Sequence, residues 1–179
     1  LESPVWCQAA WSSSWRTVSR WVDAFKVSSF EAQDLELIGR ILDVKGDRPL
    51  FISTGMQGES DAKPTKPTEA IYLHCVSAYP CPIEEANLGA IEQNGGYSDH
   101  TRCVYTGGLA VASGADFLEV HYRLDTTPSA CPDYAVALSP RQLGLYVEFA
   151  RTAFEMRGSG IKSVQPSEQV NMPYRVSVS

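Results

Sequence analysis

Four apolar runs in this chain each end in a cluster of small or polar residues: Asp23–Ser29 (DAFKVSS), Pro49–Gly55 (PLFISTG), Ala70–Ser77 (AIYLHCVS) and Asp116–Tyr122 (DFLEVHY). A run lacking the strict polar alternation of a half-solvated strand is what a strand covered on both faces requires, and the punctuation marks where the chain leaves the sheet. Pro4–Ala10 (PVWCQAA) is a weaker fifth run, and Gly95–Thr101 (GGYSDHT) a sixth recognised mainly by its context. Helical patterns lie between them. Glu31–Leu42 gathers Leu35, Leu37, Ile38, Ile41 and Leu42 on a partly apolar face, and Arg102–Ser113 is small and apolar enough to pack tightly on a sheet. Ser139 followed by Pro140 opens a longer helix to about Met156, which Arg157-Gly158-Ser159-Gly160 ends. Strands alternating with helices at this spacing predict a parallel α/β architecture. Two connections are poor for a parallel crossover, which needs about a dozen residues or more. Gln57–Glu69 carries two prolines and no apolar face, and Pro82–Asn94 has room for at most a short helix.

Composition narrows the function. The chain has 179 residues, 44% hydrophobic and 20% charged, enough for one domain with a real core. Its net charge of -6 argues against nucleic-acid binding, which needs a basic surface. The apolar stretches are too short to span a bilayer, and no signal peptide is evident. Five cysteines (Cys7, Cys75, Cys81, Cys103, Cys131) form no CxxC pair, and an odd count suits a reducing compartment. They read as mostly buried thiols in a cytoplasmic protein. The chain starts Leu-Glu-Ser without an initiator methionine, as a processed or partial chain would.

The strand ends collect the chemistry: Lys26, Ser28, Ser29, Ser53, Thr54, His74, Ser77, Tyr79, Asn87, Ser98, Asp99, His100, Glu119 and His121. In a parallel sheet all of these emerge at one carboxyl edge, where α/β proteins build their sites. One lysine among hydroxyls suits a phosphate or carboxylate. His100 and His121, with acidic neighbours, suit a divalent metal, although a strand-end histidine is more often a hydrogen-bonded structural residue. Glu119 and Asp133 read on their own as solvated or capping groups.

Several strings in one order add to this. Asp23-Ala-Phe-Lys-Val-Ser-Ser29 is similar to DAFKIAS, and Phe51-Ile-Ser-Thr-Gly-Met56 to ILSTGM. Leu73–Leu88 is similar to LHCTSxYPxPxEDxNL, Gly96–Thr101 matches GYSDHT, and Glu119-Val-His-Tyr122 is similar to EKHF. Pro132-Asp133 with Ala137–Pro140 is similar to GPDHxASLxP. Together these strings resemble the sialic acid synthase family, enzymes that condense phosphoenolpyruvate with an N-acylated amino sugar. The resemblance implies a (β/α)8 TIM-barrel fold with its site at the carboxyl face, here with strands three to eight present and the first two not evident. Residues 1–162 would form this partial barrel and 163–179 a C-terminal tail. Carried over, His100 and His121 would ligate Mn2+ or Mg2+. Lys26, Ser29, Ser53, Asn87 and Ser98 would grip phosphoenolpyruvate, and Tyr79 and Asp133 would face the amino sugar. No catalytic residue is assigned, because the family's acidic residue lies in the first strand. Val120 departs from the basic residue of EKHF, and Tyr134 stands where the family often has histidine. Six strands cannot close an eight-stranded barrel, so the resemblance implies a homo-oligomer or a partner chain completing it. The alternative is a noncatalytic structural or assembly protein built on a degenerate synthase barrel.

Overall fold

The computed structural model describes residues 6–8, 19–58 and 69–176, and for 6–8 the backbone alone. Six strands form one parallel sheet: β1 (Trp6–Gln8), β2 (Ala24–Val27), β3 (Leu50–Ser53), β4 (Ala70–His74), β5 (Gly96–Asp99) and β6 (Phe117–Val120). They lie side by side in chain order. Each of the six expected runs supplies one of these strands.

Side chains alternate across the sheet and so divide each strand between two layers. On the outer face, Phe25 and Val27 of β2 and Leu50 and Ile52 of β3 pack against Leu37, Ile38 and Ile41 of helix α1 (Leu35–Lys45). On the inner face, Ala24, Phe51 and Leu73 form a second apolar layer with Ile71. Lys26 sits in register with Phe51, Ser53 with Leu73, and Ser98 with Glu119, so the polar inner residues lie toward the carboxyl ends.

The sheet is strongly curled. In a flat sheet β2 and β6 would lie about 19 Å apart, four strand spacings of about 4.8 Å. Yet Lys26 Nζ on β2 is 2.9 Å from Glu119 Oε2 on β6, and the rings of Phe51 on β3 and Phe117 on β6 meet at 5.2 Å. Only a half-barrel brings those side chains together. Its interior is tight: a Cβ on Gly96 would lie 2.5 Å from Leu73 Cδ2 and from the Phe117 carbonyl oxygen, so inner-face contact between β4, β5 and β6 depends on a residue without a side chain.

The helices differ from expectation at their starts. Helix α1 begins four residues late because Ser28–Gln33 turns tightly and Asp34 caps the helix, accepting from Leu37 N–H at 2.9 Å. Arg48 donates to the carbonyls of Val44 and Lys45 at its end, and to those of Ser19 and Val22, satisfying helix-terminal acceptors while pinning the entry to β2. Helix α2 (Thr106–Ala112) starts late because Arg102 adopts φ 60°, which no helix tolerates. Helix α3 (Pro140–Arg157) carries the capping box foreseen in part by Ser139: its hydroxyl accepts from Gln142 N–H, and Gln142 Oε1 accepts from Ser139 N–H at 2.9 Å. Helices α2 and α3 approach closely at Gly107, where a Cβ would stand 2.5 Å from the Tyr146 ring. The link from β4 to β5 holds only two short 3-10 turns, Ile83–Glu85 and Leu88–Ala90. Residues 59–68 of the other poor link, and the Cys7 side chain, lie outside the described residues. Cys75 and Cys81 are buried, whereas Cys103 is half-buried and Cys131 exposed, the last because it heads the surface turn Pro132–Ala135. Beyond α3 the chain is exposed, with a 3-10 segment at Pro166–Tyr174. No helix among the described residues is long and apolar enough to cross a membrane.

Two substitutions test this account by urea denaturation. Ser139→Ala removes the α3 cap and is expected to cost about 1 kcal/mol. Gly96→Ala overfills the interior and is expected to cost about 1–3 kcal/mol, with β6 displaced.

Candidate active site

The carboxyl edge encloses a cavity of about 270 Å3 lined by Lys26, Ser28, Ser29, Ser53, Tyr79, Ser98, His100, Glu119, Val120, His121 and Asp133. Strand parity accounts for most of it. Lys26 and Ser28, Ser98 and His100, and Glu119 and His121 are each two residues apart, so each pair leaves its strand on the inner face. Tyr79 arrives from the β4–β5 link and Asp133 from the turn Pro132–Ala135.

One side of the cavity is a lysine with hydroxyls. Lys26 is 6% exposed, and Glu119 is its ion-pair partner. Ser53 Oγ is buried with no hydrogen-bond partner, a costly state for a hydroxyl unless a ligand completes it. Ser29 Oγ accepts from Gly55 N–H at 3.0 Å and lies 3.2 Å from Cys75 Sγ. A Cβ on Gly55 would stand 2.2 Å from Ser77 Oγ and 2.9 Å from Ser29 Oγ, so the backbone approaches these hydroxyls as only glycine allows.

The other side holds the two imidazoles, with ring centroids 5.4 Å apart and Tyr79 packed against both. Each is held from behind. His100 Nδ1 donates to the Val76 carbonyl at 2.7 Å, and the His100 carbonyl accepts from Cys81 N–H at 2.8 Å. His121 Nδ1 lies 3.5 Å from Asp133 Oδ2, and its carbonyl accepts from Leu138 N–H at 2.8 Å. Burial pushes the His100 imidazole below its ordinary pKa, the Val76 bond opposing it, so the ring is neutral with Nε2 free to accept or to coordinate. Ser98 Oγ is a distant neighbour of that nitrogen at 3.4 Å. Metal-binding histidines characteristically give their second nitrogen to a carbonyl or carboxylate, and both rings have that backing. The donor set therefore fits a divalent ion at two nitrogens. Among the described residues no group of three or more His, Cys, Asp or Glu is arranged to hold a metal.

Of the nine site residues read from the sequence, eight line this one cavity. Asn87 does not; it is exposed, in a left-handed conformation between the two 3-10 turns. His74 faces the other way, with Nε2 3.0 Å from the Ala86 carbonyl oxygen and its ring near Tyr97. Thr54 donates to the Leu73 carbonyl. Glu119 is the residue whose role was missed: read as a solvated group, it spans the cavity to Lys26. Its parity with His121 was the available signal.

A profile of the NeuB family matches residues 10–162. The chain belongs to the NeuB family. It is 33% identical to the mouse N-acetylneuraminate-9-phosphate synthase over 82% of this chain and 44% of the mouse protein. It is 32% identical to the N,N'-diacetyllegionaminic acid synthase of Campylobacter jejuni, over 83% of this chain and 48% of that enzyme. The chain thus spans about half the length of the curated relatives it matches. Its fold overlays the crystal structure of the N-acetylneuraminic acid synthetase of Leptospira borgpetersenii, in complex with citrate, with a TM-score of 0.73 and 29% identity, over 87% of this chain and 58% of that one. A truncated 3-deoxy-D-arabino-heptulosonate 7-phosphate synthase from Thermotoga maritima, 14% identical, shares the fold with a TM-score of 0.68 over 86% of this chain and 67% of that one.

The unpartnered Ser53 hydroxyl gives a stability test independent of any activity. Ser53→Ala is expected to leave the unfolding free energy unchanged or raise it by up to about 1 kcal/mol in the absence of ligand, because a buried unsatisfied group is removed. Equilibrium urea unfolding measures it.

Proposed function

We propose that this chain carries the substrate-binding part of a nonulosonic acid synthase, which joins phosphoenolpyruvate to an N-acylated amino sugar of the N-acetylmannosamine type and releases phosphate. The observation that carries this reading is the convergence of Lys26, Ser29, Ser53, Ser98, His100 and His121 on one buried cavity in a chain of this family. In this reading the six strands are strands three to eight of an eight-stranded barrel. The apolar trough of about 480 Å3 between the outer face of β6 and α3, lined by Leu118, Val120, Leu143, Val147 and Phe154, supports it as a seat for the remaining barrel elements, whether from further polypeptide or a partner chain.

Each group has a physical task. The Lys26 ammonium and the hydroxyls of Ser29, Ser53 and Ser98 bind the phosphate and carboxylate of phosphoenolpyruvate, turning the enol carbon toward the sugar aldehyde. Tyr79 and Asp133, at the exposed side, face the sugar. His100 and His121 would hold Mn2+ or Mg2+, which when bound supplies Lewis acidity toward the aldehyde oxygen. The new C–C bond forms between the enol carbon and the aldehyde carbon, whose oxygen takes a proton. Water then adds at the resulting oxocarbenium carbon, and the C–O bond to phosphate breaks.

A second reading has one observation in its favour: the described residues lack a three-ligand metal set and any carboxylate not already paired within the cavity. A noncatalytic assembly protein on a synthase barrel would look the same. Phosphate release from phosphoenolpyruvate with N-acetylmannosamine and Mn2+, using a folded sample that includes any chain required to complete the barrel, separates the two. Synthase activity predicts metal-dependent release that His121→Ala lowers at least 100-fold. No release from the assembled wild type sinks the catalytic reading.

A further inference from the structure

Arg123 carries a charge that the fold leaves unmatched. Beyond β6 the chain stays extended, because Tyr122 bridges Leu138 in parallel: Leu138 N–H donates to the His121 carbonyl at 2.8 Å, and Arg123 N–H to the Leu138 carbonyl at 3.0 Å. Arg123 therefore follows the parity of Glu119 and His121, one step of about 6.6 Å further out on the cavity side. There its guanidinium lies over the ring of Tyr134, 4.3 Å from the centroid. Tyr134 belongs to the turn Pro132–Ala135, whose Asp133 lines the cavity. The Asp133 carboxylate goes to His121 at 3.5 Å and not to Arg123. Among the described residues Arg123 makes no ion pair or side-chain hydrogen bond, and its Nε is shielded from solvent without a partner. A stacked guanidinium uses its face and keeps its N–H edge, the edge that forks onto a phosphate or a carboxylate. A charged donor left unbonded costs more than a neutral one, so an anion at that edge completes the arrangement.

We propose that Arg123 is a specificity-determining residue that selects an amino sugar carrying an anionic group at the end remote from its aldehyde. A phosphate monoester and a carboxylate both fit, since either offers two oxygens to the guanidinium fork. The inference rests on the synthase reading and narrows its sugar substrate. The size of the cavity directs the sugar outward: about 270 Å3 is below the range of about 300–1,000 Å3 that holds one drug-sized ligand. With phosphoenolpyruvate at Lys26 and the aldehyde at the imidazoles, the far end of the sugar extends past His121 toward Arg123. Tyr134 stands where the family often has histidine, so the stack is this chain's departure from the usual pattern.

Calorimetric titration with N-acetylmannosamine, its 6-phosphate and N-acetylmannosaminuronic acid tests this, in a folded sample that includes any chain required to complete the barrel and without phosphoenolpyruvate. Wild type is expected to bind at least one of the two acidic sugars about 10-fold or more tighter than the neutral one. Arg123→Met keeps the stem packed on Tyr134 and removes the charge. It is expected to bring the ratio of acidic to neutral affinity to within about twofold of one. A residue that only braced the turn would weaken both kinds of sugar alike, and an unchanged ratio in Arg123→Met overturns the proposal. Arg123→Lys keeps the charge and loses the fork, so its ratio is expected to fall between those two. Should Arg123→Met fail to fold, a wild-type ratio in Arg123→Lys overturns the proposal in its place. Binding of neither kind of sugar overturns the inference together with the synthase reading. Equal binding of both kinds, with phosphate release intact in the synthase assay, overturns the inference alone.

Discussion

The curl of the parallel sheet is the constraint on which everything else depends. It makes inner-face residues of β2 and β6 neighbours, and without it Lys26 and Glu119 would stand about 19 Å apart on separate strands. The curl needs small inner residues such as Gly96, and an outer layer able to follow the curvature. That layer is uneven. Helix α1 covers β2 and β3, and α2 and α3 pack against each other near β5, while the β4–β5 link carries Tyr79 to the cavity before its two 3-10 turns.

Much of this was legible in the residues. The strand runs were visible because burial on both faces leaves few polar interruptions, and α3 because Ser139-Pro140 and Arg157-Gly158 are strong local stops. The late starts of α1 and α2 were not, since they follow from a capping aspartate inside an apparently continuous pattern and from a left-handed Arg102. The site was legible as a set of strand-end residues, and the resemblance chose among them. Neither source placed Asn87 outside the cavity, because a left-handed residue between two 3-10 turns gives no periodic signal. Nor did they pair Lys26 with Glu119, for a contact across four strand spacings is a property of curvature and leaves no mark on spacing.

Strand β5 shows how one short element serves two layers. Gly96 and Ser98 face inward, where space and a hydroxyl matter, and Tyr97 and Asp99 face outward into buried packing. Its period of two leaves no residue idle, and a one-residue slip in register would exchange the two sets.

The charges around the cavity have a consequence for the order of events. Its lining carries one ammonium, Lys26, against two carboxylates, Glu119 and Asp133, with His100 neutral. At rest the cavity is therefore balanced or slightly negative, and a lone phosphate ester meets a lysine already engaged. A divalent cation and an anion entering together would each lower the other's electrostatic cost, and by thermodynamic reciprocity each would tighten the other's binding by the same factor. On the proposed reading, the Lys26–Glu119 contact would make the cavity a poor trap for a lone phosphate and a better one for a cation and an anion together.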